Sequence, residues 1–180
     1  LDSDDYISHN AISTLVNSFT DNDIITGILT TSDFNSNKTN NNPQLLHPKE
    51  GTITWDNSNF EVLIRTMETG LTPVAQNRLY RKNFIIENNI RFKAGILHED
   101  ELWFFETMLI AKNVKFINKE TYFYRTDNQD SITKNVGDKN LESYLQVMEE
   151  IIQKYSHQKP FQVIANWYAV YIKKIFLDFA

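Results

Sequence analysis

The strongest constraint on this fold is a change of hydrophobic period along the chain. Up to about residue 125, apolar residues at helical spacing alternate with short β-branched runs; beyond it only helical spacing remains. Ile7, Ala11, Ile12, Leu15, Val16 and Phe19 form one helical face, broken by Asp21-Asn22-Asp23, and residues 24–31 read as a strand. Residues 52–55 form a short strand candidate. A helix to about Glu68 follows, with Asp56 or Ser58 as its cap and Gly70 as its stop. Residues 73–80 run extended, and Asn83 caps a short helix from Phe84 to Asn88. A stronger helix carries Leu102, Phe105, Met108 and Leu109. Residues 114–117 and 121–125 read as two separate strands. Two helical patterns finish the chain, one through Leu141, Leu145, Met148, Ile151 and Ile152, the other after Pro160. The succession predicts an α/β unit followed by a helical extension.

Residues 32–50, with Asn40-Asn41-Asn42-Pro43, read as a long surface excursion, and residues 127–131 as a polar turn. The net charge of −5 argues against a general nucleic-acid binder, which would carry a basic face. The chain has no cysteine, so thiolate catalysis, cysteine-ligated zinc and disulfides are excluded. Absence of disulfides fits a cytoplasmic setting. No apolar run approaches the roughly 20 residues that span a bilayer.

Two acidic clusters carry the chemistry. Leu1-Asp2-Ser3-Asp4-Asp5 places carboxylates at alternate positions, where a preceding strand would end. Such carboxylates can share one Mg²⁺ or Mn²⁺ with substrate phosphates, although aspartate and serine are also ordinary cap and turn residues. Glu99-Asp100-Glu101 opens a helix. Acidic residues there favour the helix dipole, and a helix start is also a rigid mount for a catalytic carboxylate. The first cluster can hold a metal on a diphosphate and the second can deprotonate a hydroxyl. Together they describe transfer of a group from a nucleotide diphosphate to an alcohol.

Further segments join these clusters in order. They are Asn77-Arg78-Leu79-Tyr80-Arg81-Lys82-Asn83-Phe84, with Asn89-Ile90-Arg91-Phe92, then His98-Glu99-Asp100-Glu101, and Tyr122-Phe123-Tyr124-Arg125 with Ser131-Ile132-Thr133. The ordered set resembles the second half of a family 2 glycosyltransferase of GT-A fold, from residue 1 to about 133. That resemblance implies a partial, Rossmann-like mixed sheet with flanking helices over 1–133, the acceptor-side half of the domain, and a helical extension over 134–180. It implies an inverting transfer of a sugar from a nucleotide-diphosphate sugar to a hydroxyl on a saccharide or lipid-linked acceptor, in surface polysaccharide or glycoconjugate synthesis. Asp2 and Asp4 would organise the Mg²⁺ or Mn²⁺ and the donor, with Asp5 assisting. Asp100 would be the general base, Glu99 and Glu101 would shape the site, and His98 and Arg125 would contact substrate. The family's "I-P-x-Y-N"-like nucleotide-binding half is missing, so the expectation is that it lies upstream of Leu1.

Several residues have two readings. Arg78 and Arg81 would meet phosphate or pair with carboxylates. Gln76 and Asn77 would line the acceptor side, or Asn77 would be a structural hydrogen bonder. Tyr80, Tyr122 and Tyr124 read as packing residues, and Trp103 would stack on a sugar or pack inside. The rival functions are a nucleotidyl- or phosphotransferase using the same acid pair, and a non-catalytic helical interaction module. Trp167, Tyr168, Tyr171, Phe176 and Phe179 near Lys173 and Lys174 read as a helix packed on the domain or on a second subunit, or as one in peripheral contact with the inner face of a membrane.

Overall fold

The computed structural model describes residues 2–33, 35, 37, 38, 53–69, 73–128 and 137–179. Leu1, Asn40-Asn41-Asn42-Pro43, Gly70 and Ser131-Ile132-Thr133 lie outside them. The elements run β1 (Tyr6–Ile7), α1 (Ala11–Ser18), β2 (Ile24–Ser32), β3 (Ile53–Asp56), α2 (Glu61–Thr69), β4 (Arg78–Tyr80), α3 (Lys82–Glu87), α4 (Glu99–Ile110), β5 (Asn113–Arg125), α5 (Asp138–Tyr155) and α6 (Gln162–Phe179). The architecture is mixed α/β, a five-stranded sheet with flanking helices.

β5 organises the sheet. It lies parallel to β2, from Ile24↔Val114 to Ser32↔Arg125. On its other side the first residues pair antiparallel with β3 and the later ones with β1, so those two short strands share one edge end to end. β4 closes the far side, antiparallel to β2.

The two strands expected over 114–117 and 121–125 are one. The polar residues Asn118-Lys119-Glu120 do not end the ladder. They are absorbed as an irregularity in register between Thr26 and Leu29, where β5 carries extra residues opposite β2. Ile7 also moves. It belongs to β1, paired with Tyr122, instead of the first helix, and its neighbour Tyr6 stacks on Phe123 at 4.7 Å. A cross-strand aromatic pair stabilises so short an edge strand.

The sheet has two unequal faces. Under α1 only Leu15, Ile25 and Ile117 form a buried cluster, with Phe19 and Leu79 packed against it. On the opposite face Ile24, Val114 and Phe116 meet α2, α4, α5 and α6 in the main core. α4 is the centre of that core, and every residue from Glu101 to Leu109 is buried. A helix enclosed all round loses the one-sided pattern of a surface helix. Buried carboxylates on it are each answered by the C-terminal helices. Tyr168 of α6 donates to Glu101, and Lys154 and Tyr155 of α5 both donate to Glu106. Residues 1–133 and 134–180 therefore share one hydrophobic core.

Two local devices fix the layout. Asn57, not Asp56 or Ser58, caps α2. Its Oδ1 accepts the Val62 N–H, while its amide donates to the Met108 and Ala111 carbonyls at the end of α4. Gly27 is needed where β2 crosses β5, since a Cβ there would lie 2.1 Å from the Thr121 hydroxyl oxygen. The Gly27 carbonyl accepts from Asn77 Nδ2 at 2.6 Å, and Asn77 Oδ1 accepts from the Thr121 hydroxyl. Asn77 holds a left-handed backbone at φ 63°, a conformation asparagine tolerates better than most residues. Of its two sequence readings, these bonds match the structural hydrogen bonder.

Candidate active site

The first acidic cluster precedes β1 and is folded back on the end of β5. Asp5 makes that attachment. It accepts the Tyr122 hydroxyl at 2.7 Å and the Arg125 N–H at 2.9 Å. Burial raises the Asp5 pKa, and the two hydrogen bonds oppose the rise. Tyr122, read as strand packing, is therefore also a polar anchor.

Asp5 is held on β5, while Asp2 is exposed and Asp4 half-buried. Asp2 accepts Gln76 Nε2 at 2.9 Å, while its own N–H reaches the Tyr122 hydroxyl at 3.4 Å. Asp4 accepts Asn128 Nδ2 at 2.6 Å. Arg125 is at the same place, with Nε 3.7 Å from an Asp127 oxygen. Both partners, Gln76 and Asn128, are uncharged amides. Among the described residues, no group of three or more histidine or acidic side chains converges tightly enough to hold a metal ion unaided.

The second cluster is the first turn of α4. His98 precedes it in left-handed backbone, which turns the chain sharply into the helix. Its ring stacks on Tyr144 at 4.1 Å and meets Asn140 Oδ1 at 2.6 Å. Burial lowers the His98 pKa, which favours the neutral imidazole at neutral pH. Glu99 is exposed and Asp100 is half-buried. The Asp100 pKa is pushed up to about 6, first by burial and then by the Glu99 charge; helix-start N–H groups and the Arg78 guanidinium pull the other way. Glu101 is only 6% exposed, inside the core, and bonded to Tyr168 at 3.2 Å. Burial and the Asp100 charge raise its pKa well above the ordinary carboxylate range.

A three-residue segment joins the clusters. Gln76 bonds Asp2, and Arg78, two residues on, exerts its charge on Asp100. Arg78 is held there with its guanidinium carbon 5.0 Å from the Phe104 ring centre. Arg81 is elsewhere, bonding the Asn22 carbonyl and lying over Phe19. Trp103 is buried, edge-on to Tyr80, and its flat side is covered by Phe92 at 4.1 Å. Phe92 is itself half exposed.

The roles of Asn128, Asn140 and Tyr168 were not visible in the sequence. Asn140 left one signal, a polar residue on the buried side of an amphipathic helix. Asn128 and Tyr168 left none, because their partners are about 70 or more residues away in sequence.

In fold the chain is similar to solved structures of S. aureus TarS. It superposes on S. aureus TarS 1-349 in complex with UDP-GlcNAc with a TM-score of 0.62 and 16% identity, over 99% of this chain and 47% of that one. The longer S. aureus TarS chain gives 0.61 at 18% identity, and 27% of it is covered. A stretch of 71 residues is 35% identical to the uncharacterized glycosyltransferase YibD of Escherichia coli strain K12, covering 39% of this chain and 21% of that protein. No protein-family model matches the chain. The chain spans about half of TarS 1-349.

Proposed function

We propose that this chain is the acceptor-side part of an inverting, metal-dependent family 2 glycosyltransferase that uses a nucleotide-diphosphate sugar. The observation that supports the reading is that Gln76, bonded to Asp2, and Arg78, whose charge lowers the Asp100 pKa, lie on one short segment. TarS was crystallised with UDP-GlcNAc and with UDP, so UDP-sugars are the first donors to test.

The chemistry follows from the residues. Asp2 and Asp4 offer carboxylate oxygens to a solvent-facing turn. That donor set suits Mg²⁺ or Mn²⁺, which is commonly held by one or two carboxylates plus substrate phosphates. Bound there, the ion would supply positive charge to the diphosphate leaving group. Asp100 accepts the proton of the acceptor hydroxyl. The acceptor oxygen forms a bond to the anomeric carbon as the bond from that carbon to the diphosphate oxygen breaks, and the electron pair leaves with the nucleoside diphosphate. One displacement inverts the anomeric centre. A base whose pKa is near 6 is ionised at neutral pH yet more basic than an ordinary aspartate, as general-base work requires. Glu99 maintains that basicity through its charge, Glu101 and Tyr168 hold the helix start from behind, and His98 fixes the turn before it. Arg125 places its backbone N–H on Asp5, keeping the acid turn in register with β5.

The test is turnover of a nucleotide-sugar panel by the full-length enzyme, with acceptor-free hydrolysis measured separately. Asp100→Asn is expected to lower transfer by about 10²–10⁴-fold, the usual contribution of a positioned base. Near-normal transfer by that variant would remove Asp100 from the mechanism. Asp4→Asn is expected to raise the Mn²⁺ concentration needed for half-maximal rate; an unchanged metal requirement would remove Asp4 from the metal site.

A further inference from the structure

α6 has two apolar faces. The inner one, with Ile164, Ala165, Tyr168, Ala169 and Ile172, belongs to the core. The outer one carries Val163, Trp167, Val170 and Leu177, exposed by 58%, 58%, 67% and 59%. These lie at i, i+4, i+7 and i+14, a single stripe along one side of the helix. Lys173 and Lys174 are exposed on the same side, and the sequence from Gln162 to Leu177 holds no aspartate or glutamate. In a chain of net charge −5, this is a locally cationic, apolar surface.

We propose that the outer face of α6 docks on an anionic lipid bilayer, with the helix lying in the plane of the interface. Three properties of the face select that occupant. The apolar stripe includes a tryptophan, whose ring has an apolar body and a polar N–H suited to the headgroup level. Lys174 stands within the stripe and Lys173 beside it, where anionic headgroups would meet them. No helix among the described residues is long and apolar enough to cross a membrane, and α6 has the one-sided exposed apolar stripe of a helix that lies in an interface. A second copy of the same face fits less well. Pairing two such helices would bring four lysines together against one aspartate, Asp178, near the end of each. The inner face of the same helix holds Glu101 through Tyr168. A helix is about 10–12 Å across with its side chains, so the docked bilayer would lie about that far from the start of α4.

The experiment is co-sedimentation of the full chain with vesicles of phosphatidylcholine alone and of phosphatidylcholine containing a quarter phosphatidylglycerol, at low and high salt. The wild-type chain is expected to bind the anionic vesicles about tenfold or more tightly than the neutral ones, and to lose that preference at high salt. Trp167→Ser with Val170→Ser, and separately Lys173→Glu with Lys174→Glu, are each expected to abolish binding while circular dichroism and melting remain those of the wild type. Equal binding to neutral vesicles, no binding to either, or unchanged binding by the variants would overturn the proposal. So would a concentration-dependent dimer that the Trp167/Val170 variant abolishes in the absence of vesicle binding, because the face would then belong to a second copy. None of these outcomes depends on sugar transfer.

Discussion

Asp100 costs the fold what it contributes to the site. Its pKa in the folded chain is about 6, above the ordinary aspartate value of 3.8. Between those values the folded chain binds more protons than the unfolded one, so stability falls as pH rises through that window. The full cost is present above pH 6. A shift of this size corresponds to roughly 1–3 kcal/mol, taking each pKa unit as about 1.4 kcal/mol and discounting for partial exposure. Asp100→Asn should therefore melt higher than wild type at pH 7.5 and close to it near pH 4, while losing transfer. Thermal melts at both pH values check this; a variant that melts lower at pH 7.5 would contradict it. The rate of transfer should also fall as pH drops below about 6, when the base takes up its proton. Sequence alone marks Asp100, because three acids open a helix. It does not show that Glu101, the next residue, turns into the core. One residue along a helix is a rotation of about a quarter turn, and the depth of the neighbouring helices decides which acid stays wet.

At the scale of elements, the junction of β2, β4 and β5 is the least tolerant place. Gly27→Ala puts a methyl where the Thr121 hydroxyl is, and β2 has no room to withdraw because it is buried along nearly all its length. The expected loss is about 1–3 kcal/mol, the usual cost of overpacking, read as a drop in denaturant midpoint. Pairing it with Thr121→Ser, which removes the methyl but keeps the hydroxyl, should recover little. Thr121→Ala should recover more, since the hydroxyl oxygen is the closer atom. Element legibility varies for identifiable reasons. β2 can be read because it is an apolar, β-branched run of nine residues, and α5 because its apolar residues keep helical spacing over eighteen. β5 reads as two strands because Asn118-Lys119-Glu120 resembles a turn, and only the partner strand shows that the ladder continues. Asp56, Asn57 and Ser58 are all good cap residues. The choice of Asn57 is tertiary, because its amide must also meet the end of α4.

For the whole molecule, α5 and α6 are structural parts of the α/β unit. Ile151, Tyr155, Tyr168 and Ile172 are buried in the same core as Ile24 and Phe116. A chain ending at residue 133 would expose Glu101 and Glu106 without their partners, along with most of one side of α4. Residues 1–133 alone are expected to lack a cooperative melt and a dispersed amide spectrum; a sharp transition would show that the helices are dispensable. The sequence supports a helical extension but not this dependence, because helical periodicity shows that a face is apolar without showing what it covers. The link through Gln76 and Arg78 was hidden for a related reason. Both residues are ordinary on paper, and their partners become neighbours only when β4 pairs with β2.

The central position of β5 also sets the order of events during translation. β1, β2 and β3 all precede it in the chain and all pair with it. About 90 residues separate the β2 and β5 partners, which takes roughly 5–20 s to synthesise at ordinary rates. Among the described strands, β2 can pair only with β4 before β5 arrives, and only once residues 78–80 have been made; until then its long edge is open to neighbouring nascent chains. The ribosome therefore holds an open sheet for seconds, and the arrival of a single strand closes it.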